Sequence, residues 1–195
     1  MKYLKRILIL STLVIALGLG WTLVVFDTKP LSKECAFCIP SVIQTHGFYQ
    51  DDLVIGLCTY KPIKPGHCLI IPKRHVQQFD QLTSEEITAI GKLTKKVNLA
   101  LQKILGPSSY LILQKNGSEV YQSVPHVHFH YIPRPHTDSS PRFSLVWGFI
   151  TEFLKRPVPK EKITVWVNRI RDTIADISDD EIENIVPIEQ ASITC

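Results

Sequence analysis

The sequence predicts an α+β domain in which a mostly antiparallel sheet is flanked by helices. Three observations point there. Short apolar runs bounded by Pro and Gly recur before residue 72 and again after residue 107. Stretches with apolar residues at 3.6-residue spacing stand between and after them. The resulting order is strands, helix, strands, helices. With 195 residues, 45% apolar and 21% charged, the chain can bury one full-sized core, and disordered or fibrous classes are excluded.

Taken in order, residues 7–26 are twenty consecutive positions without a charge, the length that crosses a bilayer core of about 30 Å. Lys2, Lys5 and Arg6 precede them, and no acid appears before Asp27. This pattern predicts an N-terminal transmembrane helix in a single-pass membrane protein whose N-terminus is cytoplasmic. A cleaved signal peptide shares the basic start but has a shorter apolar stretch. Removing residues 1–26 leaves 19 bases against 18 acids. That balance gives no concentrated basic face, so no nucleic-acid partner is expected. The partners expected are the membrane, through residues 7–26, and whatever the body binds.

Residues 27–34 read as a linker broken by Pro30. Runs at residues 53–58 and 67–71, separated by a Pro- and Gly-containing turn, read as paired strands, with Phe48-Tyr49 hairpinned onto the first. Thr83 and Glu86 form a capping box. From it Ile87, Ile90, Leu93, Val97, Leu101 and Ile104 carry a helix to Leu105, where Gly106-Pro107 stops it. Residues 110–113 and 125–132 read as strands. Residues 136–178 form a helical extension with two stripes. One comprises Phe143, Val146, Trp147, Ile150, Phe153 and Leu154, expected to pack on the sheet or a partner subunit, or else to lie on a membrane surface. The other comprises Ile163, Trp166, Ile170, Ile174 and Ile177. Residues 179–195 read as an acidic flexible tail.

The segment His126-Val127-His128-Phe129-His130-Tyr131 carries the chemistry. In a strand, alternation puts the three imidazoles on one face and Val127, Phe129 and Tyr131 on the other. Three adjacent imidazoles make a poor core face, because their donors and acceptors need partners. They line a site, bind a metal or face water. Neutral imidazole is a nucleophile toward phosphorus and a proton carrier near pH 7.

Residues 122–134, Gln-Ser-Val-Pro-His-Val-His-Phe-His-Tyr-Ile-Pro-Arg, resemble the motif of the histidine-triad (HIT) family. Cys35-Ala36-Phe37-Cys38 is similar to the cysteine pair that opens many such domains. Residues 48–52 and 65–75 resemble the family's first strands. The similarity places a HIT domain at residues 35–135. It implies a hydrolase or nucleotidyl transferase acting on nucleotide phosphoramidates or dinucleoside polyphosphates. In that reading His128 attacks the α-phosphorus, and His130, Gln122 and Ser123 contact phosphate oxygens and help protonate the leaving group. The other ring nitrogen of His128 would be held by the main-chain carbonyl of His126. Asn116, Thr59 and His67 would contact substrate. Cys35-x-x-Cys38 alone is open to a disulfide or redox reading. The zinc-bearing branch of the family implies instead a structural zinc held by Cys35, Cys38, His75 and His126. Family members are often two-fold dimers, so a homodimer is a further expectation.

Three positions depart from the family pattern. Thr59 stands where an Asp holds the ribose, Val120-Tyr121 where small residues approach phosphate, and Lys115 where an Asn touches it unless Asn116 shifts in. These departures keep open an alternative: a catalytically weak nucleotide-binding regulatory module.

Overall fold

Residues Gly47–Gln50 (β1), Val54–Cys58 (β2), Cys68–Pro72 (β3), Ser108–Gln114 (β4) and Phe129–Pro135 (β5) form one sheet. Its strand order is β1-β2-β3-β5-β4, and every neighbouring pair is antiparallel. The computed structural model describes residues 35–151 and 154–183. The expected membrane segment, the linker and residues 184–195 lie outside these. Among the described residues no helix is long and apolar enough to cross a membrane.

The first three strands follow from local chemistry. Asp51 turns β1 into β2, its Oδ1 accepting from the amides of Leu53 (2.8 Å) and Val54 (2.7 Å). Strands β2 and β3 are buried at every position, as continuous apolar runs in a sheet covered on both faces must be. Gly56 is required in β2, because a Cβ there would meet the Phe48 ring at 2.4 Å.

The helices are Pro40–His46 (α1), Ser84–Leu105 (α2), Ser144–Ile150 (α3), Lys160–Ala175 (α4) and Asp179–Glu183 (α5). Helix α2 begins with the capping box Thr83/Glu86 and ends at Gly106 with φ 82°, a left-handed stop that glycine adopts without steric cost. Ile90, Leu93, Val97, Ala100 and Leu101 of α2 share one core with Ile163, Val167, Ile170 and Ile174 of α4. Val54, Cys58, Cys68, Ile70 and Tyr131 complete it from the sheet. The alternate residues Ile55, Leu57, Leu69 and Ile71 point to the other face, where Phe37 and Ile43 cover them. His130 pairs with Leu69 across β3 and β5, which puts it in register with that second face.

Three expectations are corrected. The histidine strand begins at Phe129, not at residue 125. Ahead of it the amide of His126 turns back to Val124 O (2.8 Å), and the amide of Val127 bonds Val76 O (2.7 Å), so residues 124–128 follow the segment after β3. Pro125 has no amide to offer a ladder. The imidazoles still gather on one side, with Phe37 against His126 and His128 and the His128 and His130 rings 5.1 Å apart, while Tyr131 and Phe129 pack in the opposite core. Second, the stripe of α3 does not pack on the sheet: Phe143, Val146, Trp147 and Leu154 are exposed at 68%, 60%, 52% and 64%. The opposite side of α3 is inward, with Gly148 so close to Ile63 that a Cβ would meet its side chain at 2.5 Å. Residues 152–153 lie outside the described set. Third, the acidic stretch begins as helix α5, docked on α2 by Lys96–Asp179 and Lys103–Glu181 (both 2.9 Å) with Ile182 buried.

Candidate active site and metal centre

Four side chains converge at the start of the described chain. Cys35 Sγ lies 3.4 Å from His126 Nδ1, Cys38 Sγ lies 3.8 Å from the same nitrogen, and Cys38 Sγ lies 3.2 Å from His75 Nδ1. All four donor atoms fall within 4.8 Å of one another. Donors at about 2.0–2.3 Å from a tetrahedral ion stand roughly 3.4–3.8 Å apart, so the residues fit a zinc ion. The tautomer fits as well. His126 Nε2 is 2.9 Å from Pro72 O, and donating its hydrogen there leaves the Nδ1 lone pair turned toward the sulfurs. Burial pushes the His126 pKa down to about 4, keeping the ring neutral as a ligand must be. Burial and the neighbouring Cys38 push Cys35 up to about 11, so a cation at this centre would be the agent that makes it a thiolate.

His128 and His130 stand next to this centre. His128 Nδ1 is 2.7 Å from His126 O, so its hydrogen is fixed there and Nε2 carries the lone pair. Burial lowers the His128 pKa below the ordinary imidazole value, with an opposing contribution from that hydrogen bond. The Phe37 ring meets both His126 and His128 edge-on, at 5.9 and 5.4 Å.

His130 is reached through a directed chain. The Ile63 amide donates to His67 Nδ1 (3.1 Å), and His67 Nε2 lies 2.9 Å from His130 Nδ1. An amide can only donate, so neutral His67 carries its hydrogen on Nε2 and gives it to His130. Neutral His130 then carries its own hydrogen on Nε2. Burial holds both neutral, lowering His67 to about 3 and His130 strongly in the same direction. The His128 and His130 rings are 5.1 Å apart. A lone-pair nitrogen and an N–H nitrogen are thus held in neighbouring rings, one able to act as a nucleophile and the other as a hydrogen-bond donor.

The other expected site residues are placed differently. His67 is only 2% exposed and uses both ring nitrogens within the chain, so it positions His130. Gln122 is buried. Its Oε1 accepts from the Gly117 amide (2.7 Å), and its Nε2 donates to Gln77 O (2.8 Å) and Val124 O (3.1 Å), bracing the loop before the triad. Ser123 is exposed on that loop. Asn116 Oδ1 accepts from the Phe79 amide (2.9 Å) and from Gln114 Nε2 (2.8 Å). Thr59 opens onto a cavity of about 40 Å³ shared with His67, Ile163 and Trp166, room for about one or two water molecules. The larger groove, about 640 Å³ between β1, α1 and α4, is lined by none of His126, His128 and His130.

Phe149 was not singled out by the sequence, because it lies off the apolar stripe of α3. Its ring meets His130 edge-on at 5.8 Å, and Lys115 Nζ sits 5.5 Å from its centre.

Fold and site together define a histidine-triad domain, and comparison with known proteins agrees. The model of the HIT domain family matches residues 41–137, and this chain belongs to that family. Adenosine 5′-monophosphoramidase of Schizosaccharomyces pombe is 36% identical over 107 residues, spanning 54% of this chain and 77% of the relative. The asymmetrical bis(5′-nucleosyl)-tetraphosphatase of the same organism is 39% identical over 93 residues, 48% of this chain and 51% of the relative. These relatives are named for hydrolysis of phosphorus-containing bonds. A structure of a hypothetical histidine triad nucleotide-binding protein from Sulfolobus tokodaii shares the fold, with TM-score 0.58 at 23% identity over 73% of this chain and 93% of that one.

Proposed function

We propose that this chain is a nucleotide-phosphate hydrolase or nucleotidyl transferase acting through a covalent nucleotidyl–histidine. The observation that carries the reading is the fixed tautomer pair, with Nε2 of His128 bare and Nε2 of His130 bearing hydrogen. Nε2 of His128 attacks the α-phosphorus, the bond to the leaving group breaks, and that group departs with the bonding pair. Where the leaving atom is nitrogen, it takes a proton from water in the pocket, while the Nε2 hydrogen of His130 donates a hydrogen bond there. Water then cleaves the phosphorus–nitrogen bond, releasing a nucleoside monophosphate and restoring the free imidazole. Preorganised donors around the phosphoryl oxygens supply most of the acceleration in such transfers. Dividing one displacement into two supplies the rest.

Cys35, Cys38, His75 and His126 would hold a zinc ion whose contribution is structural, since four protein donors leave no open coordination position.

Purified full-length protein is expected to hydrolyse adenosine 5′-phosphoramidate or diadenosine tetraphosphate, and His128→Ala to lose at least 10³-fold in kcat. Binding of nucleotide without turnover by folded wild type would favour the regulatory-module reading.

Residues 7–26 are proposed to anchor the chain in a membrane, N-terminus cytoplasmic. The exposed Phe143, Val146, Trp147 and Leu154, followed by Lys155-Arg156, support a second contact of α3 with an anionic lipid surface. A chain lacking residues 1–26 should then still float with anionic liposomes, and Trp147→Glu should abolish the flotation. Flotation unaffected by that substitution would remove the α3 contact.

A further inference from the structure

Cys58 and Cys68 stand outside both the metal centre and the triad. Both are free thiols, buried at 6% and 0% exposure, and both belong to the core shared with α2 and α4. One ends β2 and the other begins β3, and the register sets them directly opposite each other. Antiparallel strands alternate bonded and non-bonded pairs, and two bonds fix the alternation here. The Lys73 amide donates to Leu53 O at 2.7 Å, which makes residues 53 and 73 a bonded pair. Val54 O accepts from the Asp51 amide at 3.1 Å, so it points away from β3. Counting on by twos from Val54 and Pro72, Gly56 with Ile70 and Cys58 with Cys68 are non-bonded pairs. Such pairs bring Cα atoms to about 4.5 Å, with their side chains at their closest. A disulfide spans Cα separations of about 4.4–6.8 Å. Cys68 Sγ donates to Gly66 O at 3.1 Å. Its thiol is pushed well above the ordinary cysteine value, by burial first and then by the Cys58 sulfur beside it.

We propose that Cys58 and Cys68 form a cross-strand disulfide when the chain meets a low-molecular-weight disulfide oxidant, closing the hairpin of residues 59–67 at its base. The thiolate of one cysteine attacks a sulfur of the oxidant, breaking its S–S bond and releasing one thiol. The second cysteine gives up its proton and attacks the cysteine sulfur of the mixed disulfide, releasing the other thiol. Two protons and two electrons thus pass from the cysteine pair to the two sulfurs of the oxidant. In the closed core both cysteines are shielded, so the exchange takes place while the hairpin is open. Closing of the core then seals the finished bond. The hairpin held in this way carries the Ile63 amide and His67, the two groups that orient His130. Neither cysteine belongs to the triad or the metal set, so the bond forms whichever residue is the nucleophile.

The test incubates full-length protein in detergent with oxidised glutathione just below its Tm, where the hairpin opens often. Remaining thiols are alkylated in denaturant, and the chain is cut with chymotrypsin, which cleaves after Tyr60 between the two cysteines. The expected product is a pair of peptides joined through Cys58 and Cys68, two hydrogens lighter than the reduced pair. Recovery of both cysteines alkylated overturns the proposal, as does their joining to Cys35, Cys38 or Cys195 instead of to each other. Thermal unfolding gives an independent reading. Oxidised wild type should melt about 5 °C or more above the reduced protein, because the bond constrains the unfolded chain. Cys58→Ala, which keeps Cys35 and Cys38, should lose that difference. A difference of the same size in Cys58→Ala assigns the effect to other cysteines and overturns the proposal.

Discussion

Tyr121 sits at φ 62° and ψ 35°, and among the described residues it is the one non-glycine with positive φ. A side chain in the left-handed region costs about 1–2 kcal/mol, while glycine there would cost about 0.5–1 kcal/mol in unfolded-chain entropy. Tyr121→Gly is therefore expected to raise the unfolding free energy by about 0.5–1 kcal/mol, read from urea titration at unchanged slope. A loss of stability would mean that contacts of the ring outweigh the backbone cost. The conformation also accounts for the departure seen in the sequence: the position is one that favours a small residue, and the tyrosine ring is half exposed rather than folded inward. At this scale much of the site was legible. The hydrogen bond from His128 to the carbonyl of His126 was anticipated. The partners that Gln122, Asn116 and Thr59 take within the chain were not legible, for a common reason. A side-chain amide or hydroxyl can serve a ligand or the main chain equally well, and here the first two brace loops while the third accepts weakly from the Lys61 amide at 3.4 Å.

Among elements, the metal centre draws on three segments far apart in sequence: the turn bearing Cys35 and Cys38, the segment after β3 bearing His75, and the lead into β5 bearing His126. Phe37 rides on the first of these and covers the second face of the sheet. Cys38→Ser is expected to lose the bound metal, measured by elemental analysis, and to lower Tm by several degrees, since release of a structural ion removes folding free energy. Wild type that purifies without metal, or a Cys38→Ser variant with unchanged Tm, would remove the zinc assignment. The sequence made the helical periods legible but not their orientation. A 3.6-residue stripe says which residues share a face; it does not say which face meets the core. Helix α4 followed the usual rule, with its stripe inward, and α3 reversed it, because Gly148 allows the helix to approach Ile63 from its less apolar side.

For the molecule as a whole, the helices beyond residue 135 complete the core. Ile163, Val167, Ile170 and Ile174 of α4 and Ile182 of α5 join the cluster that α2 forms with the sheet. Ile170 is fully buried. Ile170→Ala is thus expected to cost about 2–5 kcal/mol in denaturant unfolding of the whole chain. A cost under about 1 kcal/mol would show that α4 is an appendage. The strand order and the layering of helices were legible in outline, because apolar runs, turn signals and the capping box agreed with one another. The start of β5 was not, since alternation in sequence cannot distinguish a paired strand from an extended segment whose amides bond elsewhere.

The chain of hydrogen bonds from Ile63 through His67 to His130 has a direction that nothing in its surroundings can reverse. Its source is a peptide N–H, which does not ionise in the range where proteins work. The relay is a wire closed at one end. A neutral imidazole keeps its one N–H at working pH, so His130 can only offer that hydrogen to an oxygen. A proton for a leaving group must come from the pocket side, carried by the water or the nucleotide that enters there.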